Sequence, residues 1–143
     1  MYTPHVITLV NCIEGEDYAM QYLPTVLHGV MLQASKRSNV NKSGLIDADS
    51  VTLFIPFTVD SGGKTFYKPK EYAALDDKSE AWTLKSGGDS SAVECYFIKG
   101  DVLAAGVSYA QALEMFDDVY RVTSVDVRDF GSTTMQHWQV GGI

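Results

Sequence analysis

The chain of 143 residues has little basic charge: Lys and Arg number 11 against 18 Asp and Glu, which gives a net charge of −7. A protein that holds nucleic acid through many phosphates needs a basic face, so sequence-specific DNA binding is not expected. Long hydrophobic runs are also missing, since no window approaches the roughly 18 apolar residues of a membrane span. Residues 1–17 lack a basic region followed by a small-residue cleavage site. We therefore expect no signal peptide and a cytoplasmic location.

Cysteine and histidine are scarce, with 2 and 3 residues respectively. Cys12 and Cys95 lie far apart in the sequence, and in a reducing cytoplasm we expect two buried thiols rather than a disulfide. His5, His28 and His137 share no metal-ligand spacing, and no CxxC motif occurs. The sequence thus predicts no metal, no cofactor and no enzymatic activity, although a Cys–His pair assembled in three dimensions stays open.

Two short motifs resemble ligand sites but are incomplete. GGKT (62–65) resembles the end of a Walker A loop, yet Thr58 stands where that motif needs its first glycine. The residues that follow also cannot form the required helix past Pro69. In IDADS, Asp47 and Asp49 have the spacing of a calcium loop, without the glycine and the glutamate that complete its ligands. Neither a nucleotide site nor a calcium site is predicted.

Short β-branched and aromatic segments separated by turn residues predict a mainly β chain. Pro24 and Gly29 interrupt a long apolar segment, which we expect to be one bent strand or two short ones with Pro24 at an edge or a bulge. Ser108 and Gln111 fit a capping box and predict one short helix near residues 109–116. The predicted strands are residues 5–10, 19–33, 50–57, 64–75, 82–84, 92–99, 118–127 and 133–140. The sum is a single domain over residues 1–143, a small antiparallel β-barrel or sandwich with one short helix.

The stretch MQHWQV near the chain end could be either a functional site around its histidine or a structural strand. Alternation places Trp138 and Val140 on one face, where they cover the core or dock on another chain. His137 then lies on the outer face, hydrogen-bonded to a neighbour. We interpret the stretch as the closing strand of the barrel.

The order of several segments resembles a known group of proteins. These segments are VITLVN, YLPTVLHGVMLQ, SVTLFIPF, YKPKEY, DVYRVTSVDVRDFGS and MQHWQVGG. Together they are similar to the head-completion or stopper proteins encoded in the head-to-tail module of long-tailed phages and prophages of Gram-positive bacteria. The resemblance rests on core and turn patterns rather than on a catalytic motif. It spans nearly the whole chain.

The resemblance implies a virion protein that acts by shape. It implies a β-barrel that assembles in the host cytoplasm into a ring of about six or twelve copies between portal or adaptor and tail. Its partners would be other copies of itself and neighbouring portal, neck or tail proteins. It would not bind a membrane. The polar loop 35–49 would reach inward to gate the DNA channel or dock a partner. The additional stretch 76–108 departs from the stopper pattern, so a tail terminator or a minor capsid or accessory protein stays open as an alternative.

Charged clusters supply the candidate interface residues. One alternative is that they are simply solvated. The other is that they form complementary patches on neighbouring subunits, with a basic hairpin facing the acidic end of the long loop. The candidates are Lys36, Arg37, Lys42, Asp47, Asp49, Lys64, Lys68 and Lys70.

Overall fold

Eight strands and two short helices make up the described part of the chain. The computed structural model describes residues 3–14, 20–34, 51–85, 94–101 and 107–143. The elements in chain order are β1 (His5–Glu14), β2 (Met20–Ala34), β3 (Val51–Pro56), β4 (Thr65–Phe66), α1 (Pro69–Ala73), β5 (Ala81–Trp82), β6 (Glu94–Lys99), α2 (Tyr109–Met115), β7 (Val119–Arg128) and β8 (His137–Gly142).

Six of the strands close into a barrel in the order β1-β2-β3-β8-β7-β6. Every neighbouring pair in the barrel is antiparallel. The two short strands β4 and β5 form a separate parallel pair. The predicted fold class, a mainly β chain with a small antiparallel barrel, is confirmed. The described residues form two short helices where the sequence predicted one.

Alternation of side chains along the strands fills the barrel, as the sequence predicts. In β3, Val51, Leu53 and Ile55 are buried and the residues between them are half-buried. In β6, Cys95 and Phe97 belong to the main core. Trp138 and Val140 of β8 join the same core, so the interpretation of MQHWQV as a closing strand is confirmed. Strand β8 begins at His137 rather than at residue 133, because residues 133–135 form a turn.

A second layer of side chains covers the outer face of β1 and β6. This cluster contains Val10, Cys12, Tyr96, Ile98, Ala112 and Val119. Ala112 comes from α2, whose predicted capping box is present: the Ser108 hydroxyl accepts from the Gln111 N–H, and the Gln111 side chain accepts from the Ser108 N–H. Helix α2 therefore packs against the outside of the barrel wall.

Residues 65–85, which we call the plug, insert several buried side chains into the barrel core, while most of residues 65–80 stay exposed or half-buried. Tyr72 of α1 and Trp82 of β5 are fully or almost fully buried in the core cluster of the barrel strands. The Trp82 ring meets that of Trp138 edge-on with the ring centroids 5.5 Å apart. Part of this segment was predicted as a strand interrupted by Pro69. Only Thr65–Phe66 of the predicted strand forms one, as β4. The prediction is wrong from Pro69 onward, because proline at the start of a helix loses no hydrogen bond and has the required φ, so Pro69 begins α1.

Strand β2 is one continuous strand of 15 residues, as one of the two predicted alternatives requires. Pro24 pairs with Val10 of β1, whereas β3 pairs with β2 only at Met31–Ala34. The side of Pro24 that faces away from β1 is therefore outside the β2–β3 ladder. Proline, which has no N–H, is tolerated at such an edge. The predicted edge position of Pro24 is confirmed.

Candidate functional site

A cavity of about 310 Å³ lies between α2 and the outer face of the barrel wall. Four barrel strands and the start of α2 contribute to its lining. The described residues that line it are Cys12, Tyr22, Cys95, Tyr96, Ser108, Tyr109, Ala110 and Arg121. Three of these eight lining residues are tyrosines, and we call the cavity the tyrosine cavity.

Strand alternation places Tyr96 in the tyrosine cavity. Its neighbours Cys95 and Phe97 face the barrel core, so the Tyr96 ring points to the opposite face of the wall. The Tyr96 hydroxyl donates to the carbonyl of Val107, which precedes the cap of α2. The rings of Tyr96 and Tyr109 meet edge-on at a centroid distance of 5.7 Å. These contacts join α2 to the barrel and fix one wall of the cavity.

Arg121 is the only cationic side chain among the described lining residues. It lies on β7 opposite Tyr96 of β6, and its side chain is exposed. Burial raises the pKa of the Tyr96 hydroxyl above its ordinary value. A guanidinium beside aromatic faces suits a ligand that combines an apolar or aromatic group with a carboxylate.

The two thiols lie on opposite faces of the barrel wall. Cys95 belongs to the inner core cluster and Cys12 to the outer one. Both are buried and neither is in a disulfide, which confirms the prediction of two buried thiols rather than a disulfide. His137, the candidate at the closing strand, bonds the Met135 carbonyl through Nδ1 at 2.8 Å. Its ring also lies 5.6 Å from that of Phe54, on the outer side of the barrel as predicted.

The predicted interface lysines that the structure describes fall in two different environments. Lys64 is half-buried, and its Nζ donates to the Pro24 carbonyl at 2.7 Å and to Thr25 Oγ1 at 3.2 Å. Burial lowers the pKa of this ammonium group. Lys68 precedes α1 as its cap residue and Lys70 lies within α1, and both are exposed. Of the predicted interface lysines that the structure describes, Lys68 and Lys70 are thus the exposed ones.

The other predicted interface residues lie outside the described residues. They are Lys36, Arg37, Lys42, Asp47 and Asp49. The pairing of a basic hairpin with the acidic end of loop 35–49 stays a prediction.

Several large apolar side chains are exposed on the protein surface. They are found on α2, on β7, in the connection from β7 to β8 and at residue 143: Leu113, Met115, Val127, Phe130, Met135 and Ile143. Phe130 is the most exposed, at 67%. We call residues 129–136, which join β7 to β8, the hairpin tip. Asp129 lies beside Phe130 in this tip and is exposed too.

Residues 3–14, 20–34, 51–85, 94–101 and 107–143 contain no group of three or more His, Cys, Asp or Glu side chains placed to hold a metal ion. Nor does a helix in these ranges have the length and apolar character needed to cross a membrane.

Sequence reasoning missed the tyrosine cavity and the hairpin tip. Tyr22, Tyr96, Tyr109 and Arg121 come from four separate elements, so no local motif connects them. A signal was present at Tyr96, a large aromatic residue that is out of phase with the inward-facing Cys95 and Phe97. The second signal was Phe130, a large apolar residue beside a glycine in a polar turn.

The fold and site define a class of protein: a small six-stranded antiparallel barrel with a filled interior and an aromatic cavity on its outer wall. The chain belongs to DUF6751, a family of unknown function, which it matches over residues 2–143. Comparison with curated proteins and with solved structures gives no match.

Proposed function

We propose that the chain is a structural subunit of a phage virion, a stopper-like head–tail connector that forms a ring between portal or adaptor and tail. The sequence resemblance to phage neck proteins motivates the assignment. In this proposal the protein acts through contacts between subunits and with neighbouring neck proteins, without enzymatic activity or a cofactor.

The observation that carries the proposal is the exposure of apolar side chains at both ends of β7. Phe130 and Met135 lie beyond its last residue, and Ile143 pairs with Arg121 near its start. Exposing large apolar side chains to water is unfavourable, and such residues mark surfaces that a partner covers. A subunit with adhesive surfaces at both ends meets the requirement of a ring or a stacked neck.

The filled barrel interior supports a scaffold role. Barrels that carry small molecules keep an open lumen, whereas here Tyr72, Trp82 and Trp138 occupy the interior. Phe66 completes this aromatic cluster, with its ring centroid 4.5 Å from that of Trp138. Such packing makes the subunit rigid, which favours assembly by shape complementarity.

The acidic charge agrees with a place along a DNA channel. With a net charge of −7, the chain repels phosphates rather than gripping them. DNA that must slide through a ring should meet a wall of this kind.

Deleting the gene from a phage genome that encodes the chain tests the proposal. We expect DNA-filled heads and complete tails that stay unjoined, and purified protein added to them should restore infectious particles. Tails of irregular length would instead assign the protein to tail termination. Normal, infectious particles from the deletion would overturn a structural role in the neck.

A further inference from the structure

We propose that the hairpin tip of one copy docks into the tyrosine cavity of the next, with Phe130 inserted between the tyrosines and Asp129 paired with Arg121 of the receiving copy. This inference rests on the proposed function, since it gives the contact by which copies would meet in a ring. It assigns an occupant, a second copy of this chain, to both the cavity and the tip.

The two surfaces lie at opposite ends of one strand. Arg121 is near the start of β7, and Phe130 lies two residues past its end at Arg128. Nine residues of extended chain span about 30 Å, since each rises roughly 3.3 Å. A rigid barrel therefore cannot place its own tip in its own cavity. The contact must be intermolecular and head-to-tail, the geometry that generates a closed ring when the rotation between copies closes.

The chemistry of tip and cavity is complementary. Aromatic rings pair best edge-to-face or offset, and Tyr96 and Tyr109 already present such geometry, with an angle of 68° between their planes. Tyr22 and the Cys12 wall complete an apolar surface for the Phe130 ring. The cavity volume of about 310 Å³ leaves room for a side chain of this size.

The charges fix the orientation of the contact. Arg121 and Asp129 make no ion pair within the part of the chain that the structure describes, and both are exposed. Placing Asp129 beside Arg121 puts opposite charges at the rim of an apolar contact. Rim pairs of this type add little affinity but select the partner and its register.

Complementing variants test the contact in solution. Phe130→Ser keeps an intact cavity but loses the inserted ring, and Arg121→Glu keeps an intact tip but repels Asp129. By sedimentation, each variant alone should associate at least about tenfold more weakly than the wild type. Their mixture should form a heterodimer and stop there, because only the tip of the Arg121→Glu chain and the cavity of the Phe130→Ser chain can pair.

A matched control and a charge exchange sharpen the test. Met115→Ser removes an apolar side chain that is 57% exposed and does not line the cavity, and it should associate like the wild type. A chain that carries both Arg121→Asp and Asp129→Arg should recover association that either change alone weakens. Thermal unfolding of each variant shows that it is folded.

The outcomes separate this contact from the proposed function. Single variants that associate like the wild type overturn the docking, whereas the gene deletion still decides the virion role. A wild type that stays monomeric up to about 1 mM overturns it as well, because a contact weaker than about 4 kcal/mol would not hold a ring. A mixture that grows beyond dimers would also contradict a head-to-tail junction.

Discussion

Asn11 of β1 holds both backbone groups of Thr83 in the plug. Its Nδ2 donates to the Thr83 carbonyl at 2.8 Å, and its Oδ1 accepts from the Thr83 N–H at 3.2 Å. The Asn11 side chain thus takes the place of a neighbouring strand. Both residues are fully buried, so these bonds replace water that the barrel interior excludes. The pair fastens the plug to the barrel wall.

Asn11→Ala should be strongly destabilising. It leaves the buried N–H of Thr83 without a partner and takes one donor from its carbonyl, which costs about 2–4 kcal/mol of unfolding free energy. Urea unfolding measures this loss. Ser61→Ala, which removes one bond to the Lys64 carbonyl at a half-buried turn, should cost only about 0.5–1 kcal/mol. Equal losses for the two variants would show that Asn11 does not anchor the plug.

Two buried tyrosines offer a matched comparison. The Tyr72 hydroxyl is buried in the core without a hydrogen-bond partner among the described residues, whereas that of Tyr96 donates to Val107. Tyr96→Phe should lower the unfolding free energy by about 1 kcal/mol, and Tyr72→Phe should leave it unchanged or raise it by up to about 1 kcal/mol. Denaturant midpoints measure both. A loss for Tyr72→Phe as large as that for Tyr96→Phe would contradict the unpartnered hydroxyl.

Alkaline pH should unfold the protein through the same tyrosines. Burial, and then the nearby Cys95 and Cys12, raise the pKa of the Tyr72 hydroxyl well above its ordinary value. Above a pH of about 10 the unfolded chain loses this proton while the folded chain keeps it, so stability falls as pH rises. Tyr72→Phe should reduce this fall, measured as the change in urea midpoint between about pH 8 and pH 11. Identical pH dependence in variant and wild type would assign the alkaline loss to other groups.

Local sequence patterns predicted most of the barrel and little of the candidate site. The alternation in β3 and the capping box at Ser108 are encoded within a few residues, so they could be read directly. Pro69 was ambiguous, because proline both interrupts a strand and begins a helix. The pairing of Asn11 with Thr83 joins residues 72 positions apart. Such contacts depend on how the strands close, which no local pattern reports.

Lys64 should affect folding rather than assembly. Its Nζ satisfies the Pro24 carbonyl, which faces away from the ladder, and the hydroxyl of the buried Thr25. Lys64→Met keeps the apolar stem but removes both bonds, so we expect a loss of about 1–2 kcal/mol in unfolding free energy. Lys68→Met, at an exposed position, should change it by less than about 0.5 kcal/mol. Thermal and urea unfolding of the two variants decide between an internal and a solvated role for Lys64.

Gly142 should not tolerate even a methyl group. A Cβ at this position would lie 3.0 Å from Val51 Cγ2, 3.1 Å from the Arg121 carbonyl oxygen and 3.3 Å from Phe97 Cε1. The Arg121 carbonyl cannot easily move away, because it accepts the Ile143 N–H at 3.1 Å within the β7–β8 pairing. Gly142→Ala should therefore cost about 1–3 kcal/mol.

Gly62→Ala provides the control for Gly142→Ala, because nothing lies within 4 Å of a Cβ there and only its φ of +69° opposes a side chain. Its cost should be about 1 kcal/mol, the strain of a left-handed residue alone. Gly142→Ala should also weaken self-association, because relief of the clash would have to shift β8 against Arg121, which lines the tyrosine cavity. Urea unfolding and sedimentation of both variants measure the two effects. If Gly142→Ala costs no more than Gly62→Ala and associates normally, the close packing of β8 against Arg121 does not constrain the cavity.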